Sequence, residues 1–316
     1  MVASISLCIV TLMTLAGPGT REGLEYPIST SPAPKMIIED SRYQLGLQFV
    51  NGSVKEDQFD KASKLLVKAA TGEADAQYSL GELYWLGQIL KQDATMAAKW
   101  FRLSAEQGNS SAQYMLGWLY VDGNGVDRDV DKALGWYALA AEQGHVDAQL
   151  KLGMLLEGRN EEEALKWFTT AAESDCRAAQ LKVGALLYHR AGSESITWFQ
   201  RADEHGGKID AQLQLGSLYA GHQGVDKNLR MALTYFQAAA VIGNSRGQYA
   251  MGFLYTHEEE IVDLVQAYMW FDIASKKLLH AQIARDEVGQ RLSKEELTEA
   301  NRRVVEYRSP ANTNVR

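Results

Sequence analysis

Cysteine is scarce in this sequence, with Cys8 and Cys176 the two copies in 316 residues. Cys8 lies in an N-terminal segment that export would remove. One remaining thiol cannot close an internal disulfide, so an exported fold must rest on apolar packing. Cys176 falls at a turn between two helical patterns, where a tolerated small residue accounts for it better than a reactive thiol. Histidine is also thin. None of the six (His145, His189, His205, His222, His257 and His280) stands at metal-ligand spacing from another. His257-Glu258-Glu259-Glu260 offers half a zinc motif without the second histidine, and it occupies a turn. Asp122 to Asp129 has the look of a calcium loop, but Val126 stands where an oxygen ligand is needed. There is no nucleophile elbow, phosphate loop or dinucleotide fingerprint, and Ser31 and Ser41 lack the lysine three residues on that acyl transfer would need. No metal, catalytic residue or cofactor is therefore expected.

Positive charge is in deficit, at −8 net with pI near 5.4. A phosphate binder would carry a basic stripe, and none is present, which excludes nucleic acid as the expected partner. Arg302, Arg303 and Arg308 cluster at the C-terminus, where solvated helix ends explain them. Long apolar runs are missing too. The longest uncharged, mostly apolar stretch, Ile5–Ala16, has the length of a signal-peptide core and falls short of a membrane span. Thr14-Leu15-Ala16 supplies a small-x-small cleavage site, although no Lys or Arg precedes the run. Residues 1–16 are thus expected to be a signal peptide, with a periplasmic or secreted location and indirect membrane contact. Residues 17–40 read as a flexible linker, with three of the five prolines between Thr20 and Lys35.

What the chain does have is a repeat. AQYSLGELY begins at Ala76, AQYMLGWLY at Ala112, AQLKLGMLL at Ala148, AQLKVGALL at Ala179, AQLQLGSLY at Ala211 and GQYAMGFLY at Gly247. Their glycines, from Gly81 to Gly252, are spaced 36, 36, 31, 32 and 36 residues apart, and Gly46 lies 35 before Gly81. About seven repeats should fill residues 41–277, followed by capping helices over 278–308 and a tail over 309–316.

Each repeat reads as two helices. Ala76, Leu80, Leu83 and Tyr84 recur on one face of a 3.6-residue period. A glycine in mid-helix costs about 1 kcal/mol against alanine. Its recurrence implies a partner helix so close that a Cβ would collide. The second helix carries Ala97, Trp100 and Phe101, matched by Ala133, Trp136 and Tyr137 and by Ala164, Trp167 and Phe168. Between the helices, Asp122-Gly123-Asn124-Gly125-Val126 is turn chemistry, with Val126 expected to plug the core and Asp129 to cap the next helix. The copies spaced 31 and 32 lack most of this loop, which should alter curvature or bare an edge there. Ser293-Lys294-Glu295-Glu296 is a capping box that opens a final polar helix.

The unit best seen from Ala112 to Gly144 resembles the Sel-one-like repeat, a relative of the tetratricopeptide repeat, and the resemblance covers roughly residues 41–307. It implies an all-α, right-handed superhelical solenoid that binds other proteins. Exported bacterial members act as envelope adaptors or regulators. A cysteine-rich branch linked to β-lactam binding or hydrolysis has paired cysteines in each unit, which this chain lacks. The expected function is a non-enzymatic scaffold that holds a peptide or helix of a partner protein in the concave groove. An envelope hydrolase or β-lactam-binding protein, and a glycan- or peptidoglycan-binding module, are the alternatives.

Two positions of the first helix should face the groove: one after the glycine and four after it. They place Glu82, Trp85, Trp118, Met154, Tyr188 and Phe253 as candidate partner-binding residues. The competing reading packs the same residues against neighbouring first helices as ordinary core.

Overall fold

The computed structural model describes residues 35–50, 53, 55–188, 190, 192–204, 209–221 and 225–309. The expected signal peptide, most of the linker, residues 310–316, His189, His205 and His222 lie outside the described residues. Among the described residues the chain is all-helical, with sixteen α-helices and one short 3-10 turn at Glu259–Ile261. It divides into two compact units, Met1–Leu152 and Gly153–Arg316.

The first unit holds α1 (Lys35–Val50), α2 (Glu56–Ala70), α3 (Ala74–Leu86), α4 (Ala94–Glu106), α5 (Ser110–Asp122), α6 (Val130–Glu142) and the start of α7 (Val146–Leu156). The second holds the end of α7, then α8 (Glu161–Glu173), α9 (Arg177–Leu187), α10 (Gly192–Glu204), α11 (Ile209–Tyr219), α12 (Leu229–Val241), α13 (Ser245–His257), α14 (Leu264–Ser275), α15 (Leu279–Gly289) and α16 (Lys294–Arg308). Helix α1 starts at Lys35, so residues 35–40, assigned to the linker by composition, are helical. The last of the prolines in that stretch, Pro34, immediately precedes the helix, and proline is tolerated at a helix start.

The repeated glycine meets the repeated aromatic, as the spacing requires. A Cβ on Gly81 would lie 2.6 Å from the Phe101 ring, and on Gly117 2.8 Å from the Tyr137 ring. In the second unit Gly153, Gly184, Gly216 and Gly252 face Phe168, Phe199, Phe236 and Phe271 in the same way, at 2.6–2.8 Å. Each first helix thus has a slot into which the second helix inserts a flat ring. The rings are buried, with Phe101, Tyr137 and Phe168 at most 1% exposed. Burial of one such side chain contributes about 1.5–3 kcal/mol, which outweighs the roughly 1 kcal/mol helix cost of the glycine.

The loops end on a common device. The Oδ1 atoms of Asp93, Asp129 and Asp263 accept the N–H of the residue three on, at 2.9–3.0 Å, and Asn160 and Asn228 do likewise at 3.1–3.2 Å. The cap's own N–H returns to a carbonyl at the end of the preceding helix: Asp93 to Tyr84, Asp129 to Tyr120, Asn228 to Tyr219 and Asp263 to Tyr255. Asn160 makes the equivalent bond to Leu156 at 2.8 Å, crossing four residues where Asp129 crosses nine. The shortened loop therefore keeps the closure that sets the second helix. Val126 packs against the first unit's core, as its place in the loop implied.

A second device was not anticipated. In five copies the glutamine at the second position of the motif is buried, and its Nε2 donates to a carbonyl eight residues back, in the last turn of the preceding helix; Gln212 instead donates to the Asp203 carboxylate at 3.1 Å. Gln77 bonds Ala69, Gln113 bonds Ala105 and Gln149 bonds Ala141, each at 3.1 Å. In the second unit Gln180 bonds Ala172 and Gln248 bonds Ala240 at 3.2 Å. The Oε1 atoms of Gln77 and Gln113 accept in turn from Gln107 and Gln143, at 2.6 and 2.7 Å. These glutamines stitch one repeat to the next through carbonyls that a helix end leaves open. Replacing Gln113 by leucine removes the bonds to Ala105 O and from Gln143 Nε2, although these groups keep Gly108 N and Leu139 O as partners. The expected loss is about 1–3 kcal/mol, read as a drop in urea midpoint at unchanged slope.

At the C-terminal end of the second unit, α16 opens on the Ser293–Glu296 capping box. It lays Val304 into the core, sets Tyr307 edge-on against Trp270 at 5.1 Å, and donates from the Tyr307 hydroxyl to Ala240 O. Arg308 and Arg285 both reach the carboxylate of Asp272. A mostly polar helix thus covers apolar surface that a further repeat would otherwise bury.

Candidate functional site

At 100° per residue, α3 turns Ala76, Leu80 and Tyr84 inward and leaves Asp75, Tyr78, Glu82 and Leu86 on the opposite side. Exposure follows that geometry: the inward set is buried, Asp75 and Leu86 are exposed, and Tyr78 and Glu82 are half-buried. The same positions on α5 hold Ser111, Tyr114, Trp118 and Asp122, and on the first-unit part of α7 they hold Asp147 and Leu150.

Of the six candidate residues, the structure brings two together. The Trp85 and Trp118 rings meet edge-on, 4.9 Å between centroids at 85°, across adjacent repeats. Both are half-buried and pack on the first unit's core. The competing core reading therefore holds in part: each indole is anchored on one side and open on the other. Glu82 lies one turn before Leu86 and accepts a hydrogen bond from the Tyr78 hydroxyl at 2.9 Å. Burial first, and then the Glu82 carboxylate, push the Tyr78 hydroxyl up to about 12. Tyr114 is raised by burial and by Asp147, and it stacks on His145 at 4.8 Å. This tyrosine position and Leu86, 55% exposed, were not singled out from the sequence. The repeated third letter of A-Q-Y was the available signal.

The other three candidates belong to the second unit and stand apart in its repeats. Met154 is 44% exposed. Tyr188 is half-buried and shares a 2.8 Å hydrogen bond with Ser217 of the next first helix. Phe253, 43% exposed, stacks on His257 at 4.2 Å. One repeat separates Tyr188 from Phe253, and its equivalent positions hold Ser217 and Ala220.

Among the described residues no group of three or more His, Cys, Asp or Glu is placed to hold a metal ion. No described helix is long and apolar enough to cross a membrane. The anchored indoles, half-open on a face with exposed carboxylates, are suited to non-covalent contact with another chain.

A family model described as Sel1 repeat matches residues 74–109, 110–145, 146–176, 209–240 and 245–277. Between the third and fourth matches, α9 and α10 make the same glycine-to-ring contact through Gly184 and Phe199. Among solved structures, one similar chain is a protective antigen present in uropathogenic Escherichia coli strains and displaying an SLR fold. It is 32% identical over 84% of this chain, with a TM-score of 0.61, and this chain spans 59% of its length. Another is a Sel1 repeat protein from Oxalobacter formigenes, 27% identical over 77% of this chain and 98% of that one, with a TM-score of 0.51. No curated protein sequence matches.

Proposed function

Because the chain belongs to the Sel1 repeat family, whose members are in general protein-interaction scaffolds of a typically non-catalytic fold, we propose that it is a non-enzymatic adaptor. It docks a segment of another protein on the outward face of its first helices. The observation that carries this reading is the Trp85–Trp118 pair. Large aromatics that are held rigidly and left partly open lose little entropy on binding and bury much area, which is the profile of interface anchors. The apolar stretch Ile5–Ala16 supports placing this adaptor in a bacterial envelope, periplasmic or secreted.

The test is a crosslinking pull-down from intact cells with the chain tagged at its C-terminus. An envelope protein should be enriched by the wild type and lost with Trp85→Ala/Trp118→Ala. Thermal melting of the purified variant must show that it stays folded at the assay temperature. Recovery of the same protein by the folded double variant would refute the assignment of the site, and recovery of cytoplasmic proteins alone would refute the location.

A further inference from the structure

We infer that the docked segment is basic: an extended peptide of another protein that presents Arg or Lys beside apolar side chains to the face carrying Trp85 and Trp118. This rests on the scaffold reading above and adds the chemistry of the partner. The outward positions of α3, α5 and the first-unit part of α7 carry four carboxylates, Asp75, Glu82, Asp122 and Asp147; the nearby cations are Lys151, half-buried on α7, and Arg128, which donates to Val121 O at the end of α5. Asp75, Asp122 and Asp147 are exposed. Asp75 accepts a hydrogen bond from Asn109 at 2.9 Å, and Glu82 accepts from Tyr78, so neutral donors position both carboxylates without cancelling their charge.

The indoles stand among these carboxylates. A guanidinium or ammonium over an indole face is attracted by the ring quadrupole, and flanking carboxylates add to the attraction. An apolar side chain of the same peptide would find Leu86, 55% exposed, beside Trp85. The charge also argues against other occupants. A second copy of a chain with net charge −8 would set like charges against the face. An anionic lipid surface or a nucleic acid would be repelled in the same way.

The experiment uses the full chain and fluorescein-labelled peptides of alternating Arg–Leu, Gln–Leu and Glu–Leu, read by anisotropy. The Arg–Leu peptide should bind tightest, the Glu–Leu peptide least, and added salt should weaken the difference. Glu82→Lys/Asp122→Lys should weaken Arg–Leu binding by about tenfold or more. Glu173→Lys/Glu194→Lys, which reverses exposed charge on α8 and α10, should leave it unchanged and so exclude a general attraction to an acidic protein. Equal affinity for all three peptides, failure of Arg–Leu to bind, or indifference to Glu82→Lys/Asp122→Lys would each overturn the inference. If Trp118→Ala weakens all three peptides alike while the charge reversals do nothing, the basic partner falls and the scaffold reading stands. If none binds and the pull-down is also empty, both fall.

Discussion

Replacing Trp100 by alanine should cost the fold about 3–5 kcal/mol, the range for removing a large aromatic from a packed core. Trp100 is fully buried, and its Nε1 donates to the hydroxyl of Ser41 at 3.1 Å, across 59 residues of chain. Ser41 is itself fully buried on α1. The substitution therefore removes two things, the ring volume and the bond that ties α1 to α4. Trp100→Phe separates them, because it keeps most of the volume and leaves the serine without its donor. Its loss should be smaller, about 1–3 kcal/mol, the cost of an unsatisfied buried group plus a small void. Urea titration followed by circular dichroism measures both. A Trp100→Ala protein within 1 kcal/mol of the wild type would mean that α1 is not packed on this indole.

Gly117→Val should cost about 3 kcal/mol, at the upper end of overpacking penalties. The instructive companion is Gly117→Ala. In an isolated helix alanine is favoured over glycine by about 1 kcal/mol. Here the new Cβ would sit 2.8 Å from the ring of Tyr137, which is 1% exposed and has nowhere to move. The substitution should therefore destabilise, opposite in sign to its effect on helix propensity. Tyr137→Leu in the Gly117→Ala background should restore part of the loss, giving a favourable coupling in the double-mutant cycle. A stabilising Gly117→Ala would show that the slot is looser than the structure places it.

The fold was legible because one constraint is written many times. A mid-helix glycine is unfavourable by itself, so its recurrence in step with an aromatic implied a close contact, and the rings of Phe101 and Tyr137 supply it. The caps Asp129 and Ser293 were legible because local hydrogen bonding depends on spacing along the chain. The glutamine stitches were less so. Gln77 and Gln113 were visible in every copy of A-Q, yet a polar residue on a helix gives no local sign that its amide is buried against a carbonyl of the preceding helix. The start of α1 was missed because the Pro-rich composition of residues 20–35 masked a helix beginning at Lys35.

The site was only partly legible. Counting from the glycine placed Trp85 and Trp118 on neighbouring helices, but not their edge-on contact, which depends on rotamers that spacing does not determine. The same count picked out Tyr188 and Phe253, but not their contacts with Ser217 and His257. Leu86 was passed over because a single leucine near a helix end carries no pattern.

Site-specific photocrosslinking in living cells tests the central claim most directly. A photoreactive amino acid is placed at Leu86 on the outward face of α3, and separately at Lys99, which is exposed on the second helix of the same repeat. The adaptor reading predicts a discrete crosslinked product from position 86 and none from position 99. A product from position 99 alone, or none from position 86 when the protein is folded and present at normal levels, would contradict it.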